Sequence, residues 1–71
     1  MITREELAAK ISEYIGYTGK LPTYIAKEMG VSDSTIFGYM KGRNVPPLIQ
    51  FKKLCKVLNC EYEDILGKLE E

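Results

Sequence analysis

Apolar residues recur along the chain at intervals of three and four, in five short groups separated by glycine, proline or asparagine. Leu7, Ile11, Tyr14 and Ile15 form the first group. Thr3-Arg4-Glu5-Glu6 ahead of it has the spacing of a capping box, in which a threonine hydroxyl and a glutamate three residues on satisfy each other's unpaired backbone donors. Gly16 and Gly19 in "GYTG" are expected to stop this helix in left-handed conformations. Pro22 suits the first position of a second helix, whose inner face is Ile25, Ala26 and Met29. Gly30 closes it, and Ser32 follows as N-cap of a third helix that buries Ile36, Tyr39 and Met40 before Gly42. The connector "RNVPP" forbids helix continuation, and its prolines suit the opening of a fourth helix. Leu48, Phe51, Leu54, Cys55 and Leu58 line that helix, Asn59 caps it, and a short fifth carries Tyr62, Ile65, Leu66 and Leu69.

No run alternates with period two, so the expected fold is all-α, a compact bundle of five short helices. At 71 residues it has room for one domain, residues 1–71, without linker or repeat. The second and third helices, joined by "MGVS", cannot be collinear, because a left-handed Gly30 turns the chain within three or four residues. That is helix-turn-helix geometry, and the small Ala26 would let the two helices approach at their crossing. An ordinary α-hairpin without a partner has the same local pattern.

Ten basic and ten acidic residues balance to a net charge of zero, but they are not evenly spread. Residues 20–56 hold seven lysines and arginines against Glu28 and Asp33, a net +5, while residues 57–71 hold Lys68 against five acids, a net −4. A basic middle of this kind fits a polyanionic partner better than the total suggests. Lys52, Lys53 and Lys56 fall between the apolar positions of the fourth helix and read as a solvated face. Cys55 and Cys60, with no histidine in the chain, read as small core residues of a cytoplasmic protein rather than metal ligands or a disulfide. No stretch approaches the ~20 apolar residues of a membrane span. No metal constellation, phosphate loop or nucleophile beside a base is present, so neither an enzyme, a cofactor nor a small-molecule substrate is expected.

The stretch "YIAKEMGVSDSTIFGYMKGRNVPPLIQFKKLCKVLNCEYEDIL" resembles the DNA-binding domain of Cro and phage-repressor type regulators, the XRE-like helix-turn-helix family. The resemblance spans about residues 7–66 and rests on Ile25-Ala26, Met29-Gly30-Val31-Ser32, Ile36, the Gly42 stop, Pro46 and the leucine-rich fourth helix ending at Asn59. It implies a sequence-specific double-stranded DNA-binding regulator, read as a repressor, acting as a homodimer with helix 33–41 in the major groove. Carried onto this chain, Asp33, Ser34, Phe37 and Gly38 would face base edges, while Thr23, Lys41, Arg43 and Asn44 would meet phosphates.

Three of these positions have alternative readings. Asp33 is either a charge at the positive end of its helix or an acceptor from a cytosine amino group. Phe37 packs against Leu21 or a second subunit, touches a thymine methyl, or is simply exposed. Gly38 costs its helix about 1 kcal/mol relative to alanine and is read as admitting DNA close to the backbone. The last helix, with Ile65, Leu66 and Leu69 on one side, is either the dimer surface or simply the completion of the core. The competing reading keeps the fold but makes it a protein-interaction module, of antirepressor or antitoxin-like kind, that does not bind DNA itself.

Overall fold

The computed structural model describes residues 3–66, which form five helices in the order α1 (Arg4–Thr18), α2 (Pro22–Met29), α3 (Asp33–Lys41), α4 (Leu48–Leu58) and α5 (Tyr62–Leu66). The capping box forms as expected: the Thr3 N–H donates to Glu6 Oε1 at 2.8 Å and the Glu6 N–H to Thr3 Oγ1 at 3.0 Å. These bonds favour the ionised carboxylate, so the Glu6 carboxyl sits below its ordinary pKa, chiefly through the Thr3 backbone donor. One stop is misplaced in the sequence reading. Gly16 lies inside α1, and Gly19 alone, at φ 72°, ends it.

α2, α3 and α4 end in the same way. In each, the residue after the left-handed cap donates back across the last turn: Val31 to Ala26 at 3.0 Å, Arg43 to Gly38 at 3.0 Å and Cys60 to Cys55 at 3.0 Å. These paired closing bonds turn the chain at once, which makes the three-residue junctions after α2 and α4 possible. At Gly30, φ 74° and ψ 30° place the backbone where a side chain is disfavoured, and that residue sets the angle between α2 and α3. Two residues later Ser32 Oγ accepts from the Thr35 N–H at 3.3 Å, capping α3. Ser32→Ala is therefore expected to cost about 1 kcal/mol of stability in a urea titration, and a loss of less than about 0.3 kcal/mol would show that the hydroxyl does not cap.

Each helix contributes one branched aliphatic side chain to the centre of the core. Ile11, Ile25, Ile36, Leu54 and Ile65 are the largest fully buried side chains. Around them pack Ile15, Ala26, Met29, Tyr39, Phe51 and Leu58. Cys55 and Cys60 are free thiols, the first buried and the second partly so; burial pushes Cys55 up to about 12 and Cys60 upward as well. Protonated thiols in apolar surroundings pack as small hydrophobes. Among the described residues no helix is long and apolar enough to cross a membrane.

The fourth and fifth helices depart from expectation in three places. α4 begins at Leu48 with Pro47 as its N-cap, and Pro46, expected to open the helix, is buried in the preceding loop. Leu48 itself is 66% exposed and does not belong to the inner face, which begins at Phe51. Ile65, a candidate for the dimer surface, is 0% exposed and completes the core, while Leu69 lies outside the described residues.

Candidate nucleic-acid interface

α3 is held in place from two sides. Its inner face, Ile36 and Tyr39, is buried against the bundle, and its C-terminal end is tied to α1. Ser12 Oγ donates to the Met40 carbonyl at 3.0 Å, which satisfies one of the last acceptors of α3 from outside the helix. Beside it the backbones come close: a Cβ at Gly42 would lie 3.5 Å from Ala8 Cβ and 3.8 Å from Arg4 Cγ. The chain thus presents α3 as a fixed rod, with Asp33, Ser34 and Lys41 of its outer face exposed.

On that outer face Asp33 and Ser34 are exposed in the first turn and Lys41 is exposed in the last. Phe37 is half-buried and stands outside the hydrophobic core cluster; Leu21, one expected packing partner, is 70% exposed. Gly38 is the clear correction. Expected to offer its backbone to the outside, it is buried, because the Asn44 side chain lies on it. Arg43 and Asn44 follow in an exposed loop whose N–H groups both donate to the Gly38 carbonyl, at 3.0 and 3.3 Å.

Thr23, in the first turn of α2, lines an open groove together with Tyr24, Lys27, Val31 and Asp33. The start of α2 carries the positive end of its helix dipole, and Pro22 at its first position spares a donor. The groove therefore joins the beginning of α2 to the beginning of α3, with Lys27 as its cation. Lys27 was missed by the sequence reading, although its place one turn after Thr23 on the same face was legible there. Arg4 was missed too, and no local signal would have found it: only the folded chain sets it beside Gly42.

Two other residues are spoken for. Lys20 Nζ is 3.2 Å from Glu28 Oε1, donates to the Val57 carbonyl at 3.3 Å and lies 5.6 Å from the centre of the Tyr24 ring. It ties the α1–α2 junction to α4 and α2. The Tyr17 hydroxyl donates to Glu13 at 2.8 Å on its own helix. Neither geometry leaves a free group aimed outward. The remaining cations that flank α3 are Arg4, Lys27, Lys41 and Arg43, which are all exposed.

A cap, a tight left-handed turn, a second helix across the first and a cationic loop after it follow one another over residues 22–44. A helix-turn-helix family model matches residues 19–65, well over half of the chain. The chain belongs to the Cro and phage-repressor type helix-turn-helix family. The match begins at the cap that ends α1 and runs to the last core residue of α5. Helix-turn-helix domains of this family are those of DNA-binding regulators and are generally non-enzymatic. Neither a curated relative nor a solved structure matches the chain. Among the described residues there is no group of three or more histidine, cysteine, aspartate or glutamate residues that could hold a metal ion.

Proposed function

We propose that the chain is a sequence-specific double-stranded DNA-binding transcriptional regulator, a repressor that acts as a homodimer and lays α3 in the major groove. The observation that carries this reading is the outward face of α3, with Asp33, Ser34 and Lys41 exposed, fixed from behind by Ile36 and the Ser12–Met40 bond and flanked by exposed cations at both ends. Thr23 in the first turn of α2 and Lys27 in its last, with Lys41, Arg43 and Arg4 near the end of α3, meet phosphates on either side of the groove. Asp33, Ser34 and Phe37 lie between them. Self-association falls to Leu48 and Ile49, 66% and 69% exposed at the start of α4, now that Ile65 is placed in the core.

Selection of the protein against a random duplex library at about 100 mM salt tests the reading. An enriched inverted repeat with half-sites about 10 base pairs apart is expected, and the absence of enrichment with the fold intact would overturn it. Within that reading Arg43→Ala should weaken binding to every duplex alike and lower the slope of log affinity against log salt by about one, since a phosphate contact carries no sequence information. A changed base preference instead would remove Arg43 from the backbone contacts.

Phe37 favours a second reading, an interaction module that binds another protein through the same face. It is aromatic, half-buried, on the outer side of α3 and outside the core cluster. Affinity for such a partner would change little with salt, whereas DNA binding falls steeply.

A further inference from the structure

Helical spacing sets position 38 on the outer face of α3, one turn after Ser34 and three residues before Lys41, both exposed. A residue there should be wet. Gly38 is nevertheless buried, and the cause is the Asn44 side chain: a Cβ at Gly38 would collide with Asn44 Nδ2 and stand 3.3 Å from its Cγ. The backbone explains how the loop returns so far. The N–H groups of Gly42, Arg43 and Asn44 all point at the Gly38 carbonyl, the last two at 3.0 and 3.3 Å, so the chain curls over the end of α3 and drops Asn44 onto the glycine.

From this packing we infer that Asn44, expected on a phosphate, instead supplies the base-reading side chain that Gly38 lacks, with adenine as its chemical target. The inference rests on the regulator reading above and deepens it. Asn44 is itself exposed, so its carboxamide lies on the outer surface of α3 at the level between Ser34 and Lys41. A carboxamide offers one acceptor and two donors, and it pairs in two bonds with N7 and the amino group of adenine in the major groove. It carries no charge and adds nothing to counterion release, so a phosphate role would leave Arg43 beside it doing the same work better. Gly38 is then a seat: it weakens its helix and reads nothing, but any side chain there would lift Asn44 away.

The test is the same duplex selection with the full chain, followed by affinities for the selected site mutated one base pair at a time, for the wild type, Asn44→Ala and Gly38→Ala. Discrimination at one A·T pair in each half-site is expected to fall roughly tenfold or more in Asn44→Ala, the size of one bidentate amide–adenine contact, with the other positions unchanged. Gly38→Ala is expected to lose preference at that same base pair. A loss shared equally by all duplexes, or a base preference that survives Asn44→Ala, overturns the inference while leaving the regulator reading in place. A wild-type chain that enriches no site overturns both. Melting curves establish that each variant is folded, and if Gly38→Ala is not, Asn44→Ala decides alone.

Discussion

Ile36→Ala is expected to lower the free energy of unfolding by about 2–5 kcal/mol, the cost of an alanine in place of a fully buried isoleucine. Ile36 is 0% exposed and is the contribution of α3 to the set of five aliphatic side chains, one from each helix, at the centre of the bundle. At 0.05–0.15 kcal/mol per residue a chain of this length is stable by only about 4–11 kcal/mol, so the loss is a large share of the total. Ile36 belongs to the single cluster of buried side chains, which leaves little room for collapse into the cavity. Ile36→Val, which removes one methylene, should cost about 0.5–1.5 kcal/mol by the same reasoning. Urea titration followed by circular dichroism measures both. An alanine variant that loses less than about 1 kcal/mol would show that the core does not close on this residue. DNA binding should fall with stability in the alanine variant, because Ile36 is what holds the reading helix to its scaffold.

The helices were legible in the sequence because their signals are local. A threonine and a glutamate three apart, a proline at a first helical position, a serine two residues after a glycine and an asparagine after a leucine-rich run all take the roles their chemistry suggests. The misplacements share a cause. Gly16 resembles a stop but keeps helical dihedrals, since Gly19 three residues later provides the cap. Pro46 and Pro47 both suit a helix start, and neither proline nor periodicity says which of them stays in the loop. Leu48 fits the inner-face spacing of α4, but spacing alone does not say where along a helix burial begins, and here it begins at Phe51.

The interface was legible where it depends on one helix and illegible where it depends on two. Asp33, Ser34 and Lys41 lie on the outer face that the spacing of α3 requires. The burial of Gly38 under Asn44 depends on how the following loop folds back, and the approach of Arg4 to Gly42 depends on α1 crossing the end of α3. Those placements are tertiary, and no window of the sequence contains them. The charge distribution along the sequence is incomplete in the same way, for Lys20 is spent on Glu28 and Val57 while Arg4, in an acidic stretch of the sequence, stands beside the basic loop.

Ala26→Leu tests the turn itself and is expected to destabilise the protein by about 1–3 kcal/mol. Ala26 is 0% exposed, and its carbonyl accepts the Val31 N–H at 3.0 Å as the chain turns into α3. Three added carbons at this position have no space among Ile25, Met29 and Ile36, so either side chains leave their rotamers or α2 and α3 move apart. The second response has a consequence beyond stability. Thr23 and Lys27 lie on α2, while Ser34 and Phe37 lie on α3, so in the proposed reading opening the angle between the helices would change the spacing between backbone contacts and base contacts. A leucine variant that still folds should therefore bind its selected site more weakly than its stability alone would dictate. Thermal melting and affinity for the selected duplex, measured on the same preparation, separate the two effects. An unchanged melting temperature would show that the crossing has room to spare and that Ala26 does not set the helix-turn-helix angle.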